Sequence, residues 1–481
     1  MSSVSYPAAL RMHAAREPER VALVCDGAET TFGALDERST RRARAFAERG
    51  VGHGRLVTIA LPNGPAFLES AFATWKLGAV PQPISWRLPE RERAAIVEQA
   101  QPALVVGVPQ GSYARFPSLP VDFEPDAEVS AEPLPDVVSP SRQALASGGS
   151  SGRPKLIVDA LPAECDPEEP FYGNQPGSVV LVPGPLYHAA GFINSTVTLL
   201  GGGRVILMSR FDPAEALALI ERHAVEWVAF VPTMLHRIWR LPEEERARHD
   251  LSSLRRVVSS GAPCPAWLKR AWIDWLGAER IWEAYGGTER IGGTQISGTE
   301  WLAHPGSVGK PTHGRRIRIL GRDGEELPPG EVGEVFMMPP GGRGSTYRYI
   351  GAEARATADG WESLGDLGYV DEEGYLYLVD RRTDMIVCGG ANVYPAEVEA
   401  VLESHPAVLS SAVVGLPDDD LGQRVHAIVE ARPPVSEEEL RAHVALHLVR
   451  YKVPRSIEFV DTALRDDSGK VRRSALREAR V

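Results

Sequence analysis

The sequence predicts an α/β protein with a large N-terminal domain of α/β layers, a small β-rich subdomain and a small α+β C-terminal domain. Three observations predict it. Short apolar strands alternate with amphipathic helices from the N-terminus past residue 230. From about 306 to 380 helical pattern gives way to short strands and glycine turns. Beyond the polar stretch Asp380-Arg-Arg-Thr-Asp384 a fresh set of helix and strand signals begins. The chain is therefore divided into residues 1–380 and 381–481.

Taken in order, 21–25 and 56–61 read as short buried strands. Between them 32–48 reads as a helix that Thr30 or Thr31 caps and Gly50 ends. Residues 103–108, 179–182, 205–208 and 227–231 read as further strands, with 211–223 a helix between the last two. Such alternation calls for mostly parallel sheets covered by helices. Residues 118–142 are Pro-rich, acidic and aperiodic, the pattern of a surface connection. In the C-terminal part, 395–403 is a helix, and 408–414 and 424–430 are strands. A second helix opens at Ser436 with Glu439 three residues on, the spacing of a capping box.

Composition narrows the function. Among 481 residues, 43% are hydrophobic and 24% charged, as in a globular protein. No apolar run reaches about 18 residues, and the opening Met1-Ser-Ser-Val-Ser-Tyr-Pro7 lacks the basic and apolar parts of a signal peptide, so a cytoplasmic protein is expected. The net charge of -12 argues against a nucleic-acid or anionic-membrane partner. Four scattered cysteines, with no Cys-x-x-Cys pair, argue against a zinc site or a disulfide framework. Only six of the 52 basic residues are lysine, which draws attention to each of them.

The strongest local signal is Ser147-Gly-Gly-Ser-Ser-Gly-Arg-Pro-Lys155. Small residues let backbone amides approach a phosphate, Ser147, Ser150 and Ser151 add hydroxyls, Gly152 closes the loop and Lys155 brings charge. A flexible Ser/Gly linker is the competing reading. A Walker loop would need Gly-Lys-Ser/Thr where this chain has Gly-Arg-Pro-Lys, and Gly201-Gly-Gly203 lacks the spacing of a dinucleotide loop.

The loop resembles the phosphate loop of the adenylate-forming superfamily, which holds acyl-CoA synthetases, firefly luciferase and peptide-synthetase adenylation domains. Further segments follow in that family's order: Pro185-Leu-Tyr-His-Ala-Ala-Gly191, Ser260-Gly-Ala-Pro263, Glu283-Ala-Tyr-Gly-Gly-Thr-Glu289, Gly365-Asp366, Asp380-Arg381, Gly389-Gly-Ala-Asn-Val-Tyr-Pro-Ala-Glu-Val-Glu399 and Ser468-Gly-Lys470. The resemblance spans some 325 residues.

The resemblance implies an AMP-forming acid–thiol ligase that uses ATP, Mg²⁺ and coenzyme A. A carboxylate attacks the α-phosphate of ATP, and a thiol then displaces AMP from the acyl-adenylate. It implies that Glu289 holds Mg²⁺, Thr288 contacts the α-phosphate, and the Ser147–Lys155 loop holds pyrophosphate. Asp366 would bind the ribose and Arg381 the ribose or phosphate. Tyr285, with Gly261 and Ala262, would sandwich the adenine, and Pro263, Glu283, Ala284 and Gly286 would belong to the same ATP/AMP site. Lys470 would bridge the acyl carboxylate and the α-phosphate, and His188 would gate the acyl pocket. After adenylation the C-terminal domain would rotate about Thr383. That turn brings Gly389 and Gly390 to line a pantetheine tunnel.

The acyl walls implied are His188, Ala189, Ala190, Gly191, Phe192, Phe230, Gly261, Ala284, Gly286 and Gly287. They carry no Asp for an α-amine, which disfavours amino acids, and many are small, which points to a bulky hydrophobic acid. Glycines that serve only backbone approach to AMP are the competing explanation. Gly148 replaces a hydroxyl, and Asp466-Asp467 precedes the lysine motif. These departures leave open a chain that mainly thioesterifies an adenylate supplied by a partner enzyme. Loading of a carrier protein is a second alternative, and a non-catalytic AMP- or acyl-binding scaffold a remote third. Oligomeric state is not readable.

Overall fold

The computed structural model describes residues 3–148, 154–171, 173–418, 420–432, 434–466 and 469–481, and leaves the side chains of residues 147, 148 and 154 undescribed. Its backbone is mixed α/β. Parallel strands Val21–Cys25, Arg204–Leu207, Val179–Val182, Trp227–Phe230, Arg256–Ser260 and Ile281–Gly286 lie side by side in that spatial order. Beyond Ile281–Gly286 the same sheet continues antiparallel through Gly293–Ser297 and Ser307–Pro311 into the β-rich stretch that ends with Leu376–Arg381. A second parallel sheet pairs Val80–Pro83, Leu56–Ile59, Leu104–Val106 and Ser118–Leu119. Strand–helix alternation in the sequence thus has its expected outcome.

Local chemistry fixes the helix ends. Thr31 Oγ1 accepts from the Ala34 N–H at 3.1 Å to open Phe32–Ala47, and Asp212 Oδ1 accepts from Ala214 and Glu215 to open Pro213–His223. Ser436 Oγ accepts from the Glu439 N–H at 3.1 Å at the start of Glu437–His447. The aperiodic 118–142 stretch is tied down more firmly than a surface connection requires. Arg41, Arg42 and Arg44, all on the helix Phe32–Ala47, donate to the carbonyls of Val129, Phe123, Ser130 and Glu132.

The two largest cores among the described residues of the N-terminal part gather around Phe67, Phe72, Trp75 and Phe192 and around Phe230, Leu235, Trp272 and Trp301. Residues past 385 build their own five-stranded sheet, with Gly422–Ala431 at its centre and Val408–Asp418 paired along one edge. That sheet has its own core of Val398, Leu402, Val413, Val429, Leu440 and Val444. Among the described residues no helix is long and apolar enough to cross a membrane.

Candidate active site

Because strands 179–182, 227–230, 256–260 and 281–286 run parallel, their following loops emerge at one edge of the sheet. That carboxyl edge is where open α/β sheets bind ligands. The loops carry His188, Val231, Gly261 to Pro263 and Gly287 to Glu289. Gly261 has φ +85°, a conformation that costs glycine nothing.

The turn after Ile281–Gly286 is closed by the Arg290 N–H donating to Gly287 O, with Arg290 itself left-handed at φ +56°. Two ion pairs fasten it to the strand Pro154–Asp159: Lys155 Nζ to Glu289 Oε1 at 3.1 Å, and Arg290 Nη1 to Asp159 Oδ2 at 3.0 Å. Lys155 and Asp159 are four residues apart on one strand, so both side chains leave the same face. Tyr349, on the neighbouring strand Tyr347–Ile350, donates its hydroxyl to Glu289 Oε1 at 2.6 Å and accepts from Lys155 Nζ at 2.8 Å. Burial beside Glu289 pushes the Tyr349 phenol far up, so it stays a donor.

A second cluster forms where the strand Glu362–Val370 pairs with Leu376–Arg381, placing Asp366 opposite Arg381. Arg381 Nε lies 3.4 Å from Asp366 Oδ1, and the Tyr285 hydroxyl donates to Asp366 Oδ2 at 2.7 Å. Burial first, then the Asp366 charge, raises the Tyr285 phenol well above its ordinary value.

Lys470 reaches this cleft from the other end of the chain. Its pKa is lowered by burial and by Arg381, with Asp466 and Glu289 acting oppositely. The side chain nevertheless keeps substantial solvent access. His188, at the start of the helix Ala189–Leu200, is held neutral, its pKa lowered to about 4 by burial and then by the Lys470 charge. The lysine loop seats on the large domain: a Cβ at Gly469 (φ +77°) would meet Thr233 Oγ1 at 2.8 Å and Val231 Cγ2 at 3.0 Å. Asp466 shapes that loop, accepting from the Lys470 N–H at 3.0 Å while its own N–H donates to Lys470 O. One carboxylate of the Asp466-Asp467 departure therefore builds the turn that presents the lysine.

Several expected site residues do other work. Glu283 is committed to a buried ion pair with Lys269, 2.7 Å away, on a strand whose neighbours cover it. Phe230 packs into the core against Phe211 and Trp272, with ring centroids 6.4 and 6.1 Å away. Gly191 faces its own loop, since a Cβ there would sit 2.3 Å from Pro185 O. At Gly287 a Cβ would sit 2.5 Å from Leu364 Cδ1. The smallness of these two glycines reflects tight packing and leaves no acyl room. Phe192 is buried against Phe67 and Trp75. Ala189, Ala190, Ala262, Ala284, Gly286 and Thr288 keep partial or full exposure around the edge. Gly389 and Gly390 turn an exposed hairpin in the C-terminal sheet at φ +57° and +81°, and Thr383 is exposed just before it. In the phosphate loop, Ser147 has a backbone position opposite Lys155 in a hairpin, while Ser150, Ser151 and Gly152 lie outside the described residues.

Sequence reasoning missed Tyr349, and no motif signalled it. The donor set fits Mg²⁺. Among the described residues no three metal-ligating side chains converge, and Glu289 offers the single carboxylate that Mg²⁺ takes when substrate phosphates supply the rest.

A parallel sheet with its loops at the carboxyl edge, the Lys155–Glu289 pair and the Tyr285–Asp366–Arg381 cluster together make the arrangement expected of an adenylate-forming enzyme. The model of the AMP-binding enzyme family matches residues 10–342, and that of its C-terminal domain matches 397–470. The chain belongs to this family, among the acyl- and aryl-CoA ligases. It is 35% identical over 477 residues to a feruloyl-CoA synthase of Amycolatopsis sp, covering 96% of both chains. It is 31% identical over 497 residues to the fatty acid–[acyl-carrier-protein] ligase ScoC of Streptomyces coeruleorubidus, covering 97% of this chain and 94% of ScoC. The solved o-succinylbenzoate CoA synthetase (MenE) of Bacillus subtilis with its acyl-adenylate OSB-AMP superposes with a TM-score of 0.83 at 28% identity. That match covers 100% of this chain and 99% of MenE. The same enzyme with ATP and a magnesium ion gives 0.79 at 28% identity, covering 99% and 100%.

Proposed function

We propose that this chain is a cytoplasmic acyl-CoA ligase that activates a bulky, largely hydrophobic carboxylic acid with Mg²⁺-ATP and passes the acyl group to CoA. One observation carries the reading: with Gly469 seated on Val231 and Thr233 of the large domain, Lys470 of the C-terminal unit comes within electrostatic reach of Arg381 and of the large domain's His188 and Glu289. An anionic carboxylate attacking a polyanion needs positive charge of the kind Lys470 and Arg381 bring, and positioning supplies most of the catalysis. In this reading Glu289 holds the metal and Lys155 follows the departing pyrophosphate. Asp366 and Arg381 grip the ribose, Tyr285 flanks the adenine, and neutral His188 gives way to the thiol. The C-terminal domain, residues 381–481, then pivots at Thr383 to bring Gly389 and Gly390 to the thiol channel.

The acid's class is supported by the relatives: the feruloyl-CoA synthase at 35% identity and the o-succinylbenzoate CoA synthetase at 28% are each named for an aryl acid that carries polar groups, which favours such an acid over a plain aliphatic chain.

The test supplies purified protein with Mg²⁺-ATP and a panel of hydroxylated aryl-propenoic, polycyclic, medium-chain and short acids, with and without CoA. A parallel arm supplies preformed acyl-adenylates and CoA. Acyl-CoA in both arms, best with aryl acids and lost from the ATP arm in Lys470→Ala, is expected. Highest kcat/KM with acetate or propionate would overturn the bulky-acid reading. Product from supplied adenylates alone would leave only the thioesterification half. A carrier-protein thiol far outperforming free CoA would move the acceptor to the chemistry that ScoC's name describes.

A further inference from the structure

The eight-residue helix Pro232–Trp239 of the large domain touches the C-terminal unit at both of its ends. At its start, Thr233 and the preceding Val231 receive Gly469, next to Lys470. At its other end stands Arg240, whose guanidinium crosses to the turn after the C-terminal helix Pro395–Ser404. Its Nη2 donates to His405 O at 3.0 Å and to Val408 O at 2.6 Å, and its Nη1 donates to Pro406 O. Its Nε donates to His236 Nε2 at 2.9 Å, one helical turn back, which fixes the plane of the fork. The planar fork suits this task because it offers several donors in a fixed array to carbonyls left over past a helix end. A cation there also complements the negative end of the helix dipole. At the opposite end of Pro395–Ser404, Asp380 Oδ2 accepts from the Ala396 N–H at 2.9 Å. Asp380 lies on the large-domain side of Thr383. The helix is thus held by an anion at its N-terminus and a cation beyond its C-terminus, both outside the unit it belongs to.

We propose that Arg240 is a positioning residue for the adenylation half-reaction. It never reaches the reacting atoms. By holding the 405–408 turn it fixes the C-terminal unit in the orientation that seats Gly469 on Val231 and Thr233 and leaves Lys470 beside His188 and Glu289. This rests on the reading of Lys470 as the adenylation lysine. The thioesterification orientation would have to release all of Arg240's carbonyl contacts together, so the contact favours one half-reaction over the other.

Arg240→Met keeps the aliphatic stem and removes the fork, and Arg240→Lys keeps the charge. For Arg240→Met the expected result is a ten- to hundredfold slower formation of acyl-adenylate from Mg²⁺-ATP and acid. Thioesterification of a supplied adenylate should stay within about twofold of wild type, and Arg240→Lys should recover part of the loss. Equal losses in both halves, or an unchanged adenylation rate, would overturn the proposal. Hydrogen–deuterium exchange on the full chain provides a readout independent of activity. Amides of 405–411 and 469–470 should lose protection in Arg240→Met, and unchanged protection would overturn the clamp. If wild type makes no adenylate yet the variant loses protection, the clamp stands and the ligase reading fails.

Discussion

Two lysine–carboxylate pairs take their carboxylates from one strand and the loop after it, and behave as opposites. Lys269 and Glu283 are 2.7 Å apart with side chains 1% and 6% exposed, sealed between a helix and the middle of a strand. Lys155 and Glu289 are 3.1 Å apart with side chains 22% and 8% exposed, Glu289 in the loop that follows the same strand and Lys155 on Pro154–Asp159. The first pair has no access for a third charge. The second has an open side, a shared phenol in Tyr349 and a second lysine arriving from the C-terminal unit. Charge pairing therefore marks a site only where one partner can be exchanged for a ligand.

The widest break in that comparison comes from removing one member of the sealed pair. Lys269→Met leaves Glu283 buried without its counter-ion, a loss of about 3–5 kcal/mol. A large fall in the chemical-denaturation midpoint is expected, with half-reaction ratios unchanged in whatever protein folds. Lys269→Met combined with Glu283→Leu should restore most of the midpoint. If Lys269→Met alone left stability intact, the pair would not be the structural element described.

Breaking the open pair should do the reverse. Glu289→Gln is expected to slow adenylation by roughly 10²–10³ while leaving the denaturation midpoint near wild type. Raising Mg²⁺ should recover only part of the rate. A stability loss matching that of Lys269→Met would erase the distinction between the two pairs. Tyr349→Phe sharpens it further, because it removes one hydrogen bond to Glu289 and Lys155 without touching charge. About a tenfold loss in adenylation is expected, equivalent to roughly 1–1.5 kcal/mol, with supplied adenylate still turned over.

Those variants also show what the sequence could and could not reveal. The fold was legible because apolar runs bounded by glycine and proline encode strands and helices locally. The loops of the candidate site were legible as segments, and their order in the chain becomes proximity once parallel strands deliver them to one edge. Side-chain direction was not legible. A strand buried on both faces carries no alternation, so Phe230 and Glu283 gave no sign that they point away from the ligand edge. The scarcity of lysine drew attention to six residues, yet Lys76 pairs with Asp36, Lys269 with Glu283 and Lys452 with Glu397 in structural roles. Tyr349 and Arg240 were invisible because each acts through a contact far along the chain, with no local pattern to announce it.

The smallest effect concerns protonation, and it sets the site histidine against the clamp histidine. His188 and His236 are both held to about 4, mainly by burial, with Lys470 as the next cause for His188 and Arg240 for His236. A histidine depressed in the folded state stabilises the fold fully above its unfolded value of about 6.5. That stability is lost as pH falls through the window down to about 4, because only the unfolded chain binds the proton there. Stability should therefore be flat from pH 8 to 7 and decline below 6.5, and either His188→Asn or His236→Asn should make the decline shallower. The two sites separate by their second cause. In an NMR titration of ring-labelled histidine, Lys470→Ala should raise the His188 pKa and leave His236 in place, whereas Arg240→Met should do the converse. Neither should reach 6.5, since burial remains the largest cause in both. A His188 value unmoved by Lys470→Ala would mean that the lysine does not share the cleft, and the contrast between a ligand-ready and a sealed charge cluster would lose its C-terminal partner.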